Sequence, residues 1–113
     1  MITTHVLDLV RGAPGTGITV TLDFLQPSDG DWSAVGLGVT DGDGRLKTLT
    51  EGWTMIVGTY RLTFDIASYH RAQSPDAAFF PYVQITFNVV DAESSLHVPL
   101  LLSPFGYSTY RGS

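Results

Sequence analysis

With 113 residues, no cysteine and a net charge of −5, the chain excludes several classes of function at once. Disulfides, thiolate metal sites and a cysteine nucleophile are impossible, and an acidic chain without a basic run does not suit nucleic acid or an anionic membrane. Charged residues make up 15% and hydrophobic ones 43%, a lean surface for one domain spanning 1–113, and this points to apolar area covered by partner subunits.

The predicted elements are short strands. Thr3 to Val10 opens the chain, and Gly12-Ala13-Pro14-Gly15-Thr16-Gly17 is a turn composition leading to Ile18–Leu25. There Ile18, Val20, Leu22 and Phe24 alternate with Thr19, Thr21 and Asp23, the period of a half-buried strand. The first two strands are therefore expected to be neighbours. Trp32 to Thr40 resumes a strand in which Gly36 and Gly38 suggest a bulge or a close backbone approach, and Asp41-Gly42-Asp43-Gly44 turns the chain into a short edge strand, Arg45 to Leu49. Tyr60, Leu62, Phe64 and Ile66 mark the next strand. Ala67 to Gln73 is the one helical turn, closed by Ser74-Pro75 because the residue before a proline is pushed out of the helical region. Val83, Ile85, Phe87 and Val89 alternate again, and the last pair of strands is Leu96–Leu102 and Tyr107–Ser113, joined by Ser103-Pro104-Phe105-Gly106. About eight short strands with one short helix predict an all-β fold, a two-sheet antiparallel β-sandwich.

No stretch reaches the roughly 18 apolar residues of a membrane span, and Met1 leads straight into an apolar strand without a charged leader. The closing Arg-Gly-Ser is not a peroxisomal address, so a cytoplasmic protein is expected.

The three histidines sit in different contexts. On the strand from Leu96 to Leu102 the even-numbered residues share one face, which leaves His97 beside Pro99 and Leu101 on a second face that is also apolar, as expected against another subunit. From the pattern alone a hydrogen-bonded structural role for His97 is favoured. His5 lies on a strand beside hydroxyl side chains, either solvated at an edge or aimed into a site. His70 lies in the helical turn and reads as a surface residue. Arg45 is either a solvated arginine after a hairpin turn or a planar cationic fork for a flat substrate with carbonyl and amide edges. Ser113 lacks a nucleophile-elbow context, which removes support for a covalent serine mechanism. Tyr110 either stacks on a flat ring or anchors the last strand by burial.

Three blocks, Thr3-Thr4-His5-Val6-Leu7-Asp8, His97-Val98-Pro99-Leu100-Leu101-Leu102-Ser103-Pro104 and Tyr110-Arg111-Gly112-Ser113, occur in order along the chain. In these the sequence resembles the 5-hydroxyisourate hydrolases, the enzymatic branch of the transthyretin-like proteins. The resemblance implies a prealbumin-type sandwich, a homotetramer with sites at subunit interfaces, and a place in urate and purine degradation. It implies hydrolysis of 5-hydroxyisourate to 2-oxo-4-hydroxy-4-carboxy-5-ureidoimidazoline by histidine-assisted attack of water on a ring carbonyl. The family's catalytic set falls on His5, Arg45, His97 and Ser113, with His5, Arg45 and Tyr110 contacting the substrate. Leu96 is a departure, since in many relatives an aromatic residue is expected before the histidine. No cofactor and no metal are expected; Asp8, three residues from His5, has poor spacing for one face of a strand. The alternative is a non-catalytic carrier of flat aromatic ligands at a subunit interface, for which paired titratable histidines have no evident use. A purely structural sandwich domain is a third reading, and it leaves the closing block unexplained.

Overall fold

The computed structural model describes residues 1–74 and 78–113. Its elements are β1 (Ile2–Asp8), β2 (Ala13–Pro14), β3 (Thr19–Leu25), β4 (Trp32–Val39), β5 (Arg45–Leu46), β6 (Gly58–Asp65), α1 (Ala67–Gln73), β7 (Tyr82–Val89), β8 (Leu96–Ser103) and β9 (Gly106–Thr109). They form two sheets, one ordered β2-β1-β8-β9 with β5 also on β1, the other β4-β3-β6-β7. The all-β sandwich and the helix expected at Ala67–Gln73 are both present.

Alternation explains the core. Val20, Leu22 and Phe24 of β3, Tyr60, Leu62 and Phe64 of β6 and Val83 of β7 are buried, and they meet Ile2 and Val6 of β1 and Leu96, Val98, Leu100 and Leu102 of β8. Each such side chain contributes about 1.5–3 kcal/mol when fully removed from water. Odd-numbered residues of β1 and β8 are left on the outer face of their sheet, and this face carries the candidate chemistry.

Four expectations are corrected. First, β1 and β3 are not neighbours: they lie in opposite sheets, because the glycine-rich connection turns back on β1 only as the two-residue β2 and then crosses the sandwich. Gly15 makes that crossing tight, since a Cβ there would lie 2.6 Å from Val6 Cγ1. The partner of β1 is β8, paired in parallel from Ile2↔Leu96 to Asp8↔Leu102, the one parallel pairing among the described strands of an otherwise antiparallel sandwich. Second, the edge strand after the Asp-Gly turn stops at Leu46 instead of Leu49.

Third, the last strand is interrupted. β9 pairs with β8 only from Ser103↔Gly106 to Leu100↔Thr109, and a single bridge, His97↔Gly112, resumes in the same register. Pro99 explains the gap: His97 and its alternate residues turn their backbone groups toward β9, and a proline there has no N–H to offer. The Pro99 carbonyl instead accepts a hydrogen bond from the Thr109 hydroxyl at 2.7 Å.

Fourth, His70 is not a surface residue but only 3% exposed. With Ala67 it forms the buried i, i+3 stripe of α1. The helix ends at Gln73, with Ser74 extended as expected for a residue before a proline; Pro75 itself lies outside the described residues.

Gly36 and Gly38 do mark a close approach. A Cβ on Gly36 would overlap the Leu49 carbonyl, one on Gly38 would meet Leu46, and the β3–β4 register shifts at this point.

Candidate active site

The site is built by register. On the outer face of the first sheet, β1 presents Thr3, His5 and Leu7 and β8 presents His97, Pro99 and Leu101. The in-register parallel pairing sets Thr3 beside His97 and His5 beside Pro99, so the two imidazoles are diagonal neighbours with ring centroids 6.5 Å apart. On the other side of β1, Arg45 of β5 pairs directly with His5 and shares its face.

The turn before β5 fixes where Arg45 enters. The Asp41 carboxylate accepts hydrogen bonds from the backbone N–H groups of Asp43 and Arg45, both at 2.9 Å. Those bonds, the one from Arg45 foremost, hold its carboxyl below the usual carboxylate range. Gly44, at φ 75°, adopts the left-handed conformation, and a Cβ there would lie 2.5 Å from the Val6 carbonyl. Its own carbonyl accepts from Val6 N–H at 2.8 Å, which seats the turn on β1.

This turn also orients His5, whose Nε2 is 2.9 Å from the Asp43 carbonyl. A carbonyl only accepts, so Nε2 carries the proton, and neutral His5 keeps its lone pair on Nδ1. His97 is held differently, with Nδ1 2.8 Å from the Thr3 hydroxyl. Burial, and then the positive charge of Arg45 and the neighbouring His5, push the His97 imidazole below its ordinary pKa. It therefore stands neutral at neutral pH, the form that takes up a proton.

The closing segment reaches the same residue. Gly112 N–H donates to the His97 carbonyl at 2.8 Å, and a Cβ on Gly112 would lie 2.7 Å from His97 Cδ2. Ser113 follows directly and is exposed. Tyr110 is not brought to the imidazoles; it lines an apolar cleft of about 260 Å³ with Ile85, Phe87, Leu96 and Val98, between the sheets. His5, Arg45 and His97 thus converge, Ser113 is held one residue from the bridge to His97, and Tyr110 faces elsewhere.

Among the described residues no group of three or more His, Cys, Asp or Glu side chains is placed to hold a metal ion. Asp8 faces inward, away from His5, and accepts hydrogen bonds from the Tyr69 hydroxyl at 2.6 Å and from the N–H groups of Val10 and Arg11.

Three contributors escape the sequence reading: Thr3, the Asp43 carbonyl and Gly112. Strand period places Thr3 and His5 on one face, which is a usable signal. The contact between Thr3 and His97 depends on the parallel pairing, which strand period does not reveal.

Comparison with known proteins bears on the family and the fold. The model of the HIUase/Transthyretin family matches residues 2–112. A probable 5-hydroxyisourate hydrolase of Caenorhabditis elegans is 44% identical over 112 residues, covering 99% of this chain and 81% of that protein. The structure of Klebsiella pneumoniae 5-hydroxyisourate hydrolase superposes with a TM-score of 0.81 at 33% identity, covering 99% of this chain and 98% of the other. Sea bream transthyretin in complex with thyroxine superposes with a TM-score of 0.87 at 30% identity, covering 98% and 93%. A hydrolase and a thyroxine-bound protein share this fold, so backbone shape does not separate the two activities, and the side chains must.

Proposed function

This chain belongs to the HIUase/Transthyretin family and hydrolyses 5-hydroxyisourate in urate degradation, and we propose that His97, His5 and Arg45 carry the reaction. The observation that supports this most directly is the pair of imidazoles 6.5 Å apart on one sheet face, with Arg45 paired to His5. Neutral His97 takes a proton from water while the water oxygen bonds to the ring carbonyl carbon. The guanidinium of Arg45 meets the negative charge that develops on the carbonyl oxygen. As the adjacent ring carbon–nitrogen bond breaks, His97 returns the proton to the leaving nitrogen, and the new carboxylic acid loses its proton to solvent to give the carboxylate of the ureidoimidazoline named above. His5, tied at Nε2 to Asp43, offers its Nδ1 lone pair to a ring N–H and orients the substrate. Ser113 adds a positioning hydroxyl. Tyr110 lies in the cleft between the sheets, so in this reading it reaches a substrate only from a neighbouring copy.

In the same reading 1–113 is one transthyretin-like domain of a cytoplasmic homotetramer whose sites lie between subunits. Leu7 and Leu101 flank the imidazoles on the outer face, Phe79 and Phe105 are exposed near the β9 edge, and no helix among the described residues is long and apolar enough to cross a membrane. Sedimentation of the wild type and of Leu101→Asp tests the assembly: a tetramer that the added charge breaks supports it, and a fully active wild-type monomer contradicts it.

The activity itself is tested by following ultraviolet absorbance while urate oxidase generates 5-hydroxyisourate. Decay accelerated by this protein, and lost in Arg45→Ala and His5→Ala, supports the assignment. Decay unchanged by a folded, assembled protein overturns it.

A further inference from the structure

We propose that Thr3 is a positioning residue for the hydrolysis: its hydroxyl holds His97 at Nδ1 through the change of protonation, leaving Nε2 as the atom that exchanges the proton with water. The inference rests on the reading of His97 as the base.

The two imidazoles have chemically different partners. His5 is bonded to a carbonyl, which fixes one tautomer. His97 is bonded to a hydroxyl, which both donates and accepts. For Nε2 to take a proton it must hold the lone pair, and neutral His97 must then carry its hydrogen on Nδ1 and donate it to Thr3 Oγ1. When the proton of water arrives at Nε2, Nδ1–H remains and the same bond stabilises the imidazolium. When the proton passes to the leaving nitrogen, the first state returns. The hydroxyl of Thr3 therefore accepts throughout the cycle without moving.

The surroundings support this assignment. Thr3 Oγ1 makes no other hydrogen bond among the described residues, so the acceptor is not engaged elsewhere. Thr4, the next residue, faces the core and donates its hydroxyl to the Val98 carbonyl at 2.7 Å, an ordinary structural contact. On the opposite edge of the His97 ring, Gly112 packs so close to Cδ2 that a side chain there would collide. The ring is bracketed at Nδ1 and at Cδ2, which leaves the edge of Cε1 and Nε2. Among the described residues the charged and titratable groups that act on its protonation are Arg45 and His5, both of which oppose it, whereas the Thr3 acceptor favours it.

The test compares Thr3→Val, which replaces the hydroxyl by a methyl, with Thr3→Ser, which restores it. Thr3→Val is expected to lower kcat about tenfold, with KM within about twofold. It should also move the acid limb of kcat/KM to lower pH, because the imidazolium loses its acceptor. Thr3→Ser should return all three toward wild type. Nitrogen-15 NMR of the wild-type imidazoles gives a reading independent of any variant: neutral His97 is expected to carry its hydrogen mainly on Nδ1, and a population mainly protonated on Nε2 overturns the proposal. Wild-type kcat and pH profile in Thr3→Val, with His97→Ala inactive, overturns the role of Thr3 and leaves the base assignment standing. Full activity in His97→Ala overturns both.

Discussion

His97 and His70 make an instructive pair. Burial is the leading cause that pushes each imidazole below its ordinary pKa, so protonation behaviour alone does not distinguish them. Their surroundings do. His97 sits half-buried on a sheet face with a hydroxyl at Nδ1, a second imidazole 6.5 Å away and an arginine on the next strand but one. His70 lies on the buried face of α1, 3% exposed, with Nε2 buried and unpartnered among the described residues and the Asp8 carboxylate as the charge that acts on it. A perturbed histidine becomes a catalytic candidate when groups able to bind and polarise a substrate share its face; otherwise the same perturbation records burial.

The comparison is most easily broken at His97. Removing a general base costs about 10²- to 10⁴-fold in rate, so His97→Ala should lose nearly all acceleration of 5-hydroxyisourate decay while its circular dichroism stays that of the wild type. Next in size is Gly112→Ala, which alters no chemical group of the site. Its Cβ would lie 2.7 Å from His97 Cδ2, and the displaced imidazole should lower kcat by roughly 10- to 100-fold with little change in the urea midpoint. A large loss of stability with unchanged kcat per folded molecule would show that Gly112 only secures the tail.

On the His70 side the effects should be smaller and confined to stability. Tyr69→Phe removes the hydroxyl that donates to Asp8 at 2.6 Å and accepts from Arg11, and should cost about 2 kcal/mol by urea unfolding without changing kcat. His70→Phe replaces an unpartnered buried nitrogen by carbon, and is expected to be neutral or to stabilise by about 1 kcal/mol.

That last variant also changes the response to acid. In the folded chain His70 and His97 are held below the ordinary imidazole value of 6.5, so below pH 6.5 the unfolded chain binds more protons. Stability contributed by keeping them neutral is full above pH 6.5 and declines as pH falls toward their folded pKa values. His70→Phe should weaken this decline, leaving the part due to His97; an unchanged slope of stability with pH would show that His70 is not neutral in the fold.

The same contrast shows what the sequence makes legible. Alternation identified the strands and which side chains share a face, so His5 and His97 were both placed where they could leave the core. It does not name a strand's neighbour. The parallel pairing of β1 with β8, and with it the contact of Thr3 with His97, depends on a long crossover that builds the whole second sheet on the way. The interruption at Pro99 was visible in principle, because a proline removes one ladder donor wherever it falls. His70 reads as a surface residue because its short helix has little apolar periodicity, and only the i, i+3 relation to Ala67 marks the buried stripe. The closing block reads as a strand, whereas its structural contribution is a glycine packed against an imidazole.

We propose that the outer-face imidazole, and not the buried one, carries the hydrolysis. The rate of 5-hydroxyisourate decay, followed by ultraviolet absorbance with wild type, His97→Ala and His70→Phe at equal concentrations of folded protein, tests it most directly. Wild-type acceleration is expected from His70→Phe and near-background decay with His97→Ala. The reverse order, or full activity in both variants, would contradict it.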